Sequence, residues 1–257
     1  MRYYIKNIYL VLIIIISFSN VNEAFAKESK IKYSKNNISS YFSGILSSRY
    51  SNFNNAHEHL DKIQDLNLQH DNYKIRFLNT LIQLQKFNEA FNFSEDIWKK
   101  EELFFEVELI MGLKFFLNEN YSKAEMHFQR LNKISRYDIF SSGLFGNVLN
   151  AWVKAANKKK KDSFDYINKI PSQYMYLGKI QEGFMKCYYD SEQTKNSFTQ
   201  LIESQDYNFS RYNFFLINYL LHENRINEAK KVLKNSRKKY NSNLIIKETE
   251  NFLLNNK

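Results

Sequence analysis

The chain has 257 residues, of which 44% are hydrophobic, 25% charged and 16% aromatic, and its formal net charge is +10. Its one proline and six glycines are far fewer than an average chain of this length contains. That scarcity disfavours turn-rich β-sandwiches and glycine-loop nucleotide folds, and it favours an all-α chain. The single cysteine permits no internal disulfide and no cysteine-based zinc site, and the mean hydropathy of −0.54 excludes a multi-span membrane protein.

The first 26 residues have the features of a secretory signal peptide. Arg2 and Lys6 form a short basic start, residues 8–18 are mostly apolar, and residues 24–26 read Ala-Phe-Ala. The apolar stretch is shorter than the ~20 residues needed to span a bilayer. We therefore predict cleavage after Ala26 and export to a bacterial periplasm. The alternative is that the segment stays attached and anchors the chain in the inner membrane.

Residues 27–36 are polar and lysine-rich and show no helical apolar period, so they are predicted to form an exposed linker. After the linker, one pattern recurs: an aromatic or aliphatic residue, two polar or small residues, a small residue, and an apolar residue four positions later. The six small residues at its centre are Ala56, Ala90, Ala124, Ser163, Thr194 and Ala229. The first three are 34 residues apart and the last two are 35 apart. A period near 34 is typical of stacked helix–turn–helix pairs.

Glycines precede two of these alanines by twelve residues, Gly44 before Ala56 and Gly112 before Ala124. Twelve residues upstream is the middle of the preceding helix when a short turn joins the two helices. Small side chains at such positions let the helices approach closely. The small residues predicted to pack the repeats are Gly44, Ala56, Ala90, Gly112, Ala124 and Ala229.

These residues resemble the tetratricopeptide repeat family over residues 37–243, with weaker matches in the fourth and fifth units. The resemblance implies a right-handed α-solenoid of about six helix–turn–helix repeats. It also implies a concave face that is lined by the first helix of each pair and holds a protein or peptide partner. Residues 244–257 are predicted to form the C-terminal capping helix that an open solenoid end needs.

The register of the repeats places one set of residues on the predicted concave face. These residues are Tyr41, Ile75, Asn79, Leu109, Leu113, Phe116, Trp152, Phe214 and Asn218. Family members that clamp a terminal carboxylate have lysine where Ile75 and Phe214 stand here. An apolar or amphipathic partner segment is therefore favoured. The alternative is that many of these side chains simply pack against neighbouring helices.

Two clusters of basic residues stand out, at residues 158–161 and at residues 230–239. Both are compatible with plain solvated surface. Weak contact with anionic membrane or cell-wall polymer is the functional alternative. Nucleic-acid binding is not expected for an exported protein.

Catalytic motifs are not found. His57 and His59 point to different faces of a helix, and His127 has no partner at ligand spacing along the sequence. The sequence contains no nucleophile elbow and no phosphate-binding glycine loop. We expect no metal, no cofactor and no catalytic residue.

The sequence thus predicts a non-enzymatic protein-interaction scaffold of the bacterial cell envelope. An accessory subunit of outer-membrane assembly or of cell-wall enzyme machinery is the alternative.

Overall fold

The computed structural model describes residues 33–64, 70–99, 103–134, 143–204 and 209–255, so the predicted signal peptide lies outside the described residues. Within these ranges the chain is all-α, as predicted, with one short 3-10 helix at Ser172–Tyr174. The α-helices are α1 Lys35–Arg49, α2 Phe53–Asp61, α3 Asp71–Gln83, α4 Phe87–Trp98, α5 Phe105–Leu117, α6 Tyr121–Leu131, α7 Leu144–Ala156, α8 Lys160–Asn168, α9 Met175–Tyr188, α10 Thr194–Glu203, α11 Ser210–His222, α12 Ile226–Lys239 and α13 Leu244–Asn255. None of these described helices combines the length and apolar character that crossing a membrane requires.

The chain divides into two compact units, with the boundary inside α3 between Thr80 and Leu81. In the first unit α1 packs on α2, and the hydroxyl of buried Tyr73 on α3 donates a hydrogen bond to the carbonyl oxygen of Leu60 at 2.9 Å. Ser34 caps α1 by accepting a hydrogen bond from the backbone N–H of Asn37. The helix therefore begins inside the segment predicted as a linker.

In the second unit the helices pack in sequence order. Each helix from α4 to α12 contacts the next one along the chain, and α13 packs on both α11 and α12. Such local packing is characteristic of repeat proteins, in which each pair buries its apolar face against its neighbours.

Helices α1 to α12 follow one another as six helix–turn–helix units. In five units the small residue of the pattern is the fourth residue of the second helix, and in the fifth unit Thr194 is the first. The six small residues at the centre of the sequence pattern are all fully buried: Ala56, Ala90, Ala124, Ser163, Thr194 and Ala229. The weaker fourth and fifth copies are therefore complete helix pairs, in which a hydroxyl-bearing residue replaces alanine. The hydroxyls of Ser163 and Thr194 donate to backbone carbonyl oxygens three residues earlier, at 2.6 and 2.7 Å.

The turn inside each pair has one residue in the left-handed backbone region. These residues are Ser51, Gln85, Glu119, Lys158, Asp190 and Asn224, with φ between 49° and 60°. The residue after each of them donates its N–H to a carbonyl five positions earlier; in the third pair Asn120 donates to Phe115 at 2.8 Å. This pattern is the Schellman motif, which usually places glycine at the left-handed position. The chain closes all six turns without glycine.

The helical glycines predicted to pack the repeats lie against large side chains of the partner helix. A Cβ built on Gly44 would approach Leu60 to 2.6 Å, and one built on Gly112 would approach Phe128 to 2.3 Å. The atoms nearest to each glycine therefore belong to the apolar residue one turn after the repeat alanine, and not to the alanine itself.

Candidate functional site

In the first unit, the predicted surface residues Tyr41, Ile75 and Asn79 are half-buried on the first helices α1 and α3. The hydroxyl oxygen of Tyr41 accepts a hydrogen bond from Asn72 at 3.4 Å. Ile45, which the same register would place on this face, is buried and contributes to the core.

In the second unit, α5 presents Leu109, Leu113 and Phe116 as half-buried side chains on one helical face. They pack at the edge of the cluster that contains Ala124 and Phe128. Each side chain thus contacts the core on one side and remains partly open on the other. These three side chains could therefore contact a partner without leaving the core.

Further along the second unit, Trp152 on α7 is half-buried, and its indole N–H donates to the side-chain oxygen of Gln181 on α9 at 2.9 Å. On α11, Phe214 is half-buried and Asn218 is exposed. The amide of Asn218 donates to the carbonyl oxygen of Phe214 at 2.8 Å. All of the predicted surface residues therefore lie on first helices, and none is fully buried. Whether they bind a partner stays a prediction.

A cavity of about 840 Å³ lies in the fifth and sixth pairs, between α9, α10, α11 and α13. We call it the acidic cavity, because its charged lining consists of the carboxylates Asp190, Glu192 and Glu223, with His222 beside them. Its apolar lining is mainly aromatic and consists of Phe184, Phe198, Phe215, Tyr219 and Phe252, with Leu221 and Cys187. Asn218, predicted as a surface residue, also lines it.

The carboxylates of the acidic cavity affect the pKa values of the titratable groups that line it. Burial raises the pKa of the Cys187 thiol, and the charges of Asp190 and Glu223 raise it further. Burial and the charge of Glu223 likewise raise the pKa of Tyr219. Cys187 is half-buried, and its thiol is free.

A second cavity, of about 540 Å³, lies between α12 and α13. We call it the basic cavity, because Lys230, Lys234, Arg237 and Lys238 line it around Leu233 and Leu253. Arg237 is paired with Glu250 across the cavity. The second cluster of basic residues is thus concentrated on α12, whereas Lys158 and Lys159 of the first cluster lie in the turn between α7 and α8.

A buried polar cluster in the third pair was missed by sequence reasoning, which assigned no partner to His127. His127 on α6 and Glu108 on α5 are both fully buried, and Nδ1 of the histidine lies 2.7 Å from a carboxylate oxygen of Glu108. The other carboxylate oxygen accepts from Nε of Arg130 at 2.6 Å. The two groups are 19 residues apart, so no local spacing rule connects them. Glu108 and His127 are closed to solvent, whereas Arg130 is partly exposed.

Within the part of the chain that the structure describes, no three His, Cys, Asp or Glu side chains come together as a metal site would require.

No family model matches the sequence, and no curated protein matches it either. Among solved structures, a tetratricopeptide repeat protein from Parabacteroides merdae is similar in fold. The two chains are 12% identical with a TM-score of 0.59, and the match covers 87% of this chain and 86% of the other. A thermophilic tetratricopeptide repeat protein from Thermus thermophilus is 11% identical, with a TM-score of 0.34 and coverage of 85% of this chain and 98% of the other.

Together with the six helix pairs, the similarity to the Parabacteroides protein shows that this chain has a tetratricopeptide-repeat-like fold. The prediction of an all-α solenoid of about six helix–turn–helix repeats is confirmed.

Proposed function

We propose that the protein is a non-enzymatic scaffold of the bacterial cell envelope that binds a partner segment on the apolar face of its first helices. The observation that carries the proposal is the placement of six predicted surface residues in the second unit. They are Leu109, Leu113, Phe116, Trp152, Phe214 and Asn218, all on first helices and none fully buried.

The row on α5 is the strongest part of this surface. Leu109, Leu113 and Phe116 follow the spacing of one helical face, and each keeps part of its side chain accessible. Covering such apolar area releases water from it and stabilises a complex by about 25 cal/mol for each Å² buried. An apolar or amphipathic partner segment fits this chemistry better than a highly charged one.

The absence of catalysis is part of the proposal. Proteins of this repeat class generally hold partners and are not enzymes. Among the described side chains, the pair that most resembles a catalytic acid and base is Glu108 with His127. Both side chains are fully buried, and their contact joins two helices. Its geometry supports a structural role.

Photo-crosslinking tests the surface directly. Benzoyl-phenylalanine placed at Phe116, Trp152 or Phe214 is expected to capture a discrete partner in living cells. Met126 and Ile226 are exposed apolar residues on second helices, and they serve as matched control positions. Equal capture from both sets of positions, or capture from neither, would contradict the proposed surface.

Export is the second element of the proposal, and it rests on the sequence features of residues 1–26. N-terminal sequencing of the purified protein should begin at Lys27, whereas an inner-membrane anchor would retain residue 1 or 2. Fractionation then separates the functional alternatives. A soluble periplasmic pool argues against membrane assembly, and co-sedimentation with murein argues for a cell-wall enzyme partner.

The basic cavity supports a weak additional contact with anionic lipid or cell-wall polymer, because Lys230, Lys234 and Lys238 surround an apolar floor there while Arg237 is paired with Glu250. Salt-sensitive co-sedimentation with phosphatidylglycerol vesicles, and its absence with phosphatidylcholine vesicles, is the expected result. Binding that is indifferent to lipid charge would exclude this contact.

A further inference from the structure

We propose that the acidic cavity receives lysine or arginine side chains, so that the partner of this scaffold is a basic amphipathic segment of another protein. This inference deepens the proposed function and rests on it. It adds the charge of the partner and the position at which that charge is recognised.

The carboxylates of the acidic cavity form no ion pair within 4 Å with a lysine or arginine of the described residues. Asp190 and Glu192 are exposed, and among the described residues neither has a cationic side chain within 4 Å. The carboxylate of Glu223 lies 3.5 Å from Nδ1 of His222, and the charge of Arg225 offsets it in part. Asp190 and Glu192 therefore remain available to a ligand, and Glu223 adds to their negative charge.

The nearby cations are engaged with other carboxylates. Lys186 lies 2.7 Å from Glu182 and also donates to Ser197. Lys195 and Arg225 both lie 2.6 Å from the carboxylate of Glu228. Because these cations already pair with carboxylates outside the cavity, moving them into the cavity would break existing contacts.

The aromatic lining suits a long cationic side chain. The rings of Phe184 and Phe215 are 4.7 Å apart in a T-shaped contact, and Phe198 extends the same cluster. The methylene stem of lysine or arginine packs on such a surface while its charged end reaches a carboxylate or a ring face. An acidic or purely apolar segment lacks the positive charge that complements the carboxylates of the acidic cavity.

The cavity also stands out against the rest of the molecule. A chain with a net charge of +10 repels basic segments over most of its surface, so attraction requires a local concentration of negative charge. Asp190, Glu192 and Glu223 supply such a concentration in the lining. Burial is the main cause of the raised pKa of the Cys187 thiol, and the charges of Asp190 and Glu223 raise it further.

Cys187 offers a direct measurement, because it lines the cavity and is the only cysteine in the sequence. The rate at which iodoacetamide alkylates Cys187 in the full chain would be measured with three short helical peptides. The peptides share the same leucine face, and their other positions are lysine, glutamate or serine. The leucine–lysine peptide is expected to protect Cys187 at a concentration about tenfold lower than the leucine–serine peptide. Equal protection by the three peptides, or no protection by the lysine peptide, would overturn the inference.

A charge-neutralised variant locates the effect. In the triple variant Asp190→Asn, Glu192→Gln, Glu223→Gln, protection by the lysine peptide should require about tenfold more peptide. The matched control Asp96→Asn, Glu119→Gln, Asp165→Asn changes the net charge equally at exposed positions that do not line the cavity. It should shift the protection by less than about twofold. If the control loses as much as the cavity variant, the attraction is general and the acidic cavity is not the site.

Failure of this inference is distinguishable from failure of the proposed function. Crosslinks from Phe116 without selective protection of Cys187 would leave the scaffold intact and remove the basic partner. Selective protection of Cys187 without crosslinks from Phe116 or Trp152 would confine binding to the cavity and remove the extended surface.

Discussion

Glu108 is a carboxylate without access to solvent, and its two oxygens are satisfied by His127 and Arg130. The imidazole of His127 lies between the rings of Trp98 and Phe115, with centroids 5.3 and 5.4 Å away. Among the described residues its Nε2 has no hydrogen-bond partner. The cluster joins α5 to α6 at the cost of burying charge, so Glu108 and His127 depend on each other.

Removing both Glu108 and His127 should destabilise the protein by less than the sum of the two single removals. Glu108→Leu leaves the buried imidazole without its partner, and His127→Phe leaves the buried carboxylate with Arg130 alone. We expect each single change to lower the free energy of unfolding by about 2–4 kcal/mol. The double variant should cost less than the sum, with a coupling of about 1–3 kcal/mol. Urea unfolding of the four proteins measures it, and additive losses would show that the contact contributes nothing.

Two helical glycines should respond to alanine in opposite directions. A Cβ at Gly112 would lie 2.3 Å from the buried ring of Phe128, so Gly112→Ala should destabilise by about 1–3 kcal/mol. A Cβ at Gly178 would meet Ile170 at 3.7 Å, an ordinary contact. Gly178→Ala should therefore stabilise by about 0.5–1 kcal/mol through helix propensity. Thermal melts compare the two variants, and equal effects would mean that the close approach at Gly112 is not rigid.

The sequence predicted some of these residues and missed others for a physical reason. Ala124 and Gly112 were predicted because close helix packing requires small residues at a fixed spacing. The contact between Glu108 and His127 was missed because it crosses from one helix to the next. Such a contact depends on the relative rotation of the two helices, which periodicity along one chain does not determine.

The turns between paired helices use non-glycine residues in the left-handed region at every repeat. A residue with a Cβ is strained there by about 1 kcal/mol relative to glycine. The hydrogen bonds of the Schellman motif and the packing of the two helices hold this conformation in place. The small number of glycines in the sequence therefore lowers the free energy of unfolding, because each turn contains a strained residue where glycine would not be strained.

Glu119→Gly should stabilise the protein by about 0.5–1 kcal/mol, because glycine removes the left-handed strain at φ 57°. Glu119→Ala is the matched control, since it removes the carboxylate but keeps the Cβ, and it should give no such gain. Asn118→Gly changes a neighbouring residue with φ of −89° and should be neutral or destabilising. Chemical denaturation of the three variants separates backbone strain from side-chain effects. A gain from alanine equal to that from glycine would assign the effect to the side chain.

The elements themselves were largely predictable, whereas the cavity was not. Turns at residues 85–86 and 118–120 follow from polar residues between apolar runs, and their left-handed residues Gln85 and Glu119 are 34 apart, as the period predicts. The acidic cavity combines side chains from α9, α10, α11 and α13 with the turn at Asp190. Its existence depends on how two pairs and the last helix pack together, and sequence spacing carries no such information.

Within the second unit, the contacts run from each helix to its neighbours, so stability should be distributed locally along the chain. The last helix tests this idea. Ile246 on α13 is buried in the cluster formed by Leu216, Leu220 and Leu233 of the sixth pair. Without α13 that apolar surface would face water, and the amides of α11 and α12 would open more readily.

Deletion of residues 244–257 is therefore expected to lower hydrogen-exchange protection in α11 and α12 by about tenfold or more, with little change in α5 and α6. The shorter deletion of residues 256–257 is the control and should leave both regions unchanged. Exchange measured by mass spectrometry resolves the helices separately. A uniform loss of protection across the second unit would show that its pairs unfold as one cooperative body. Since α13 buries Ile246 against the sixth pair, its removal should expose that pair to solvent. Protection that stays unchanged everywhere would therefore show that α13 does not cap the repeats.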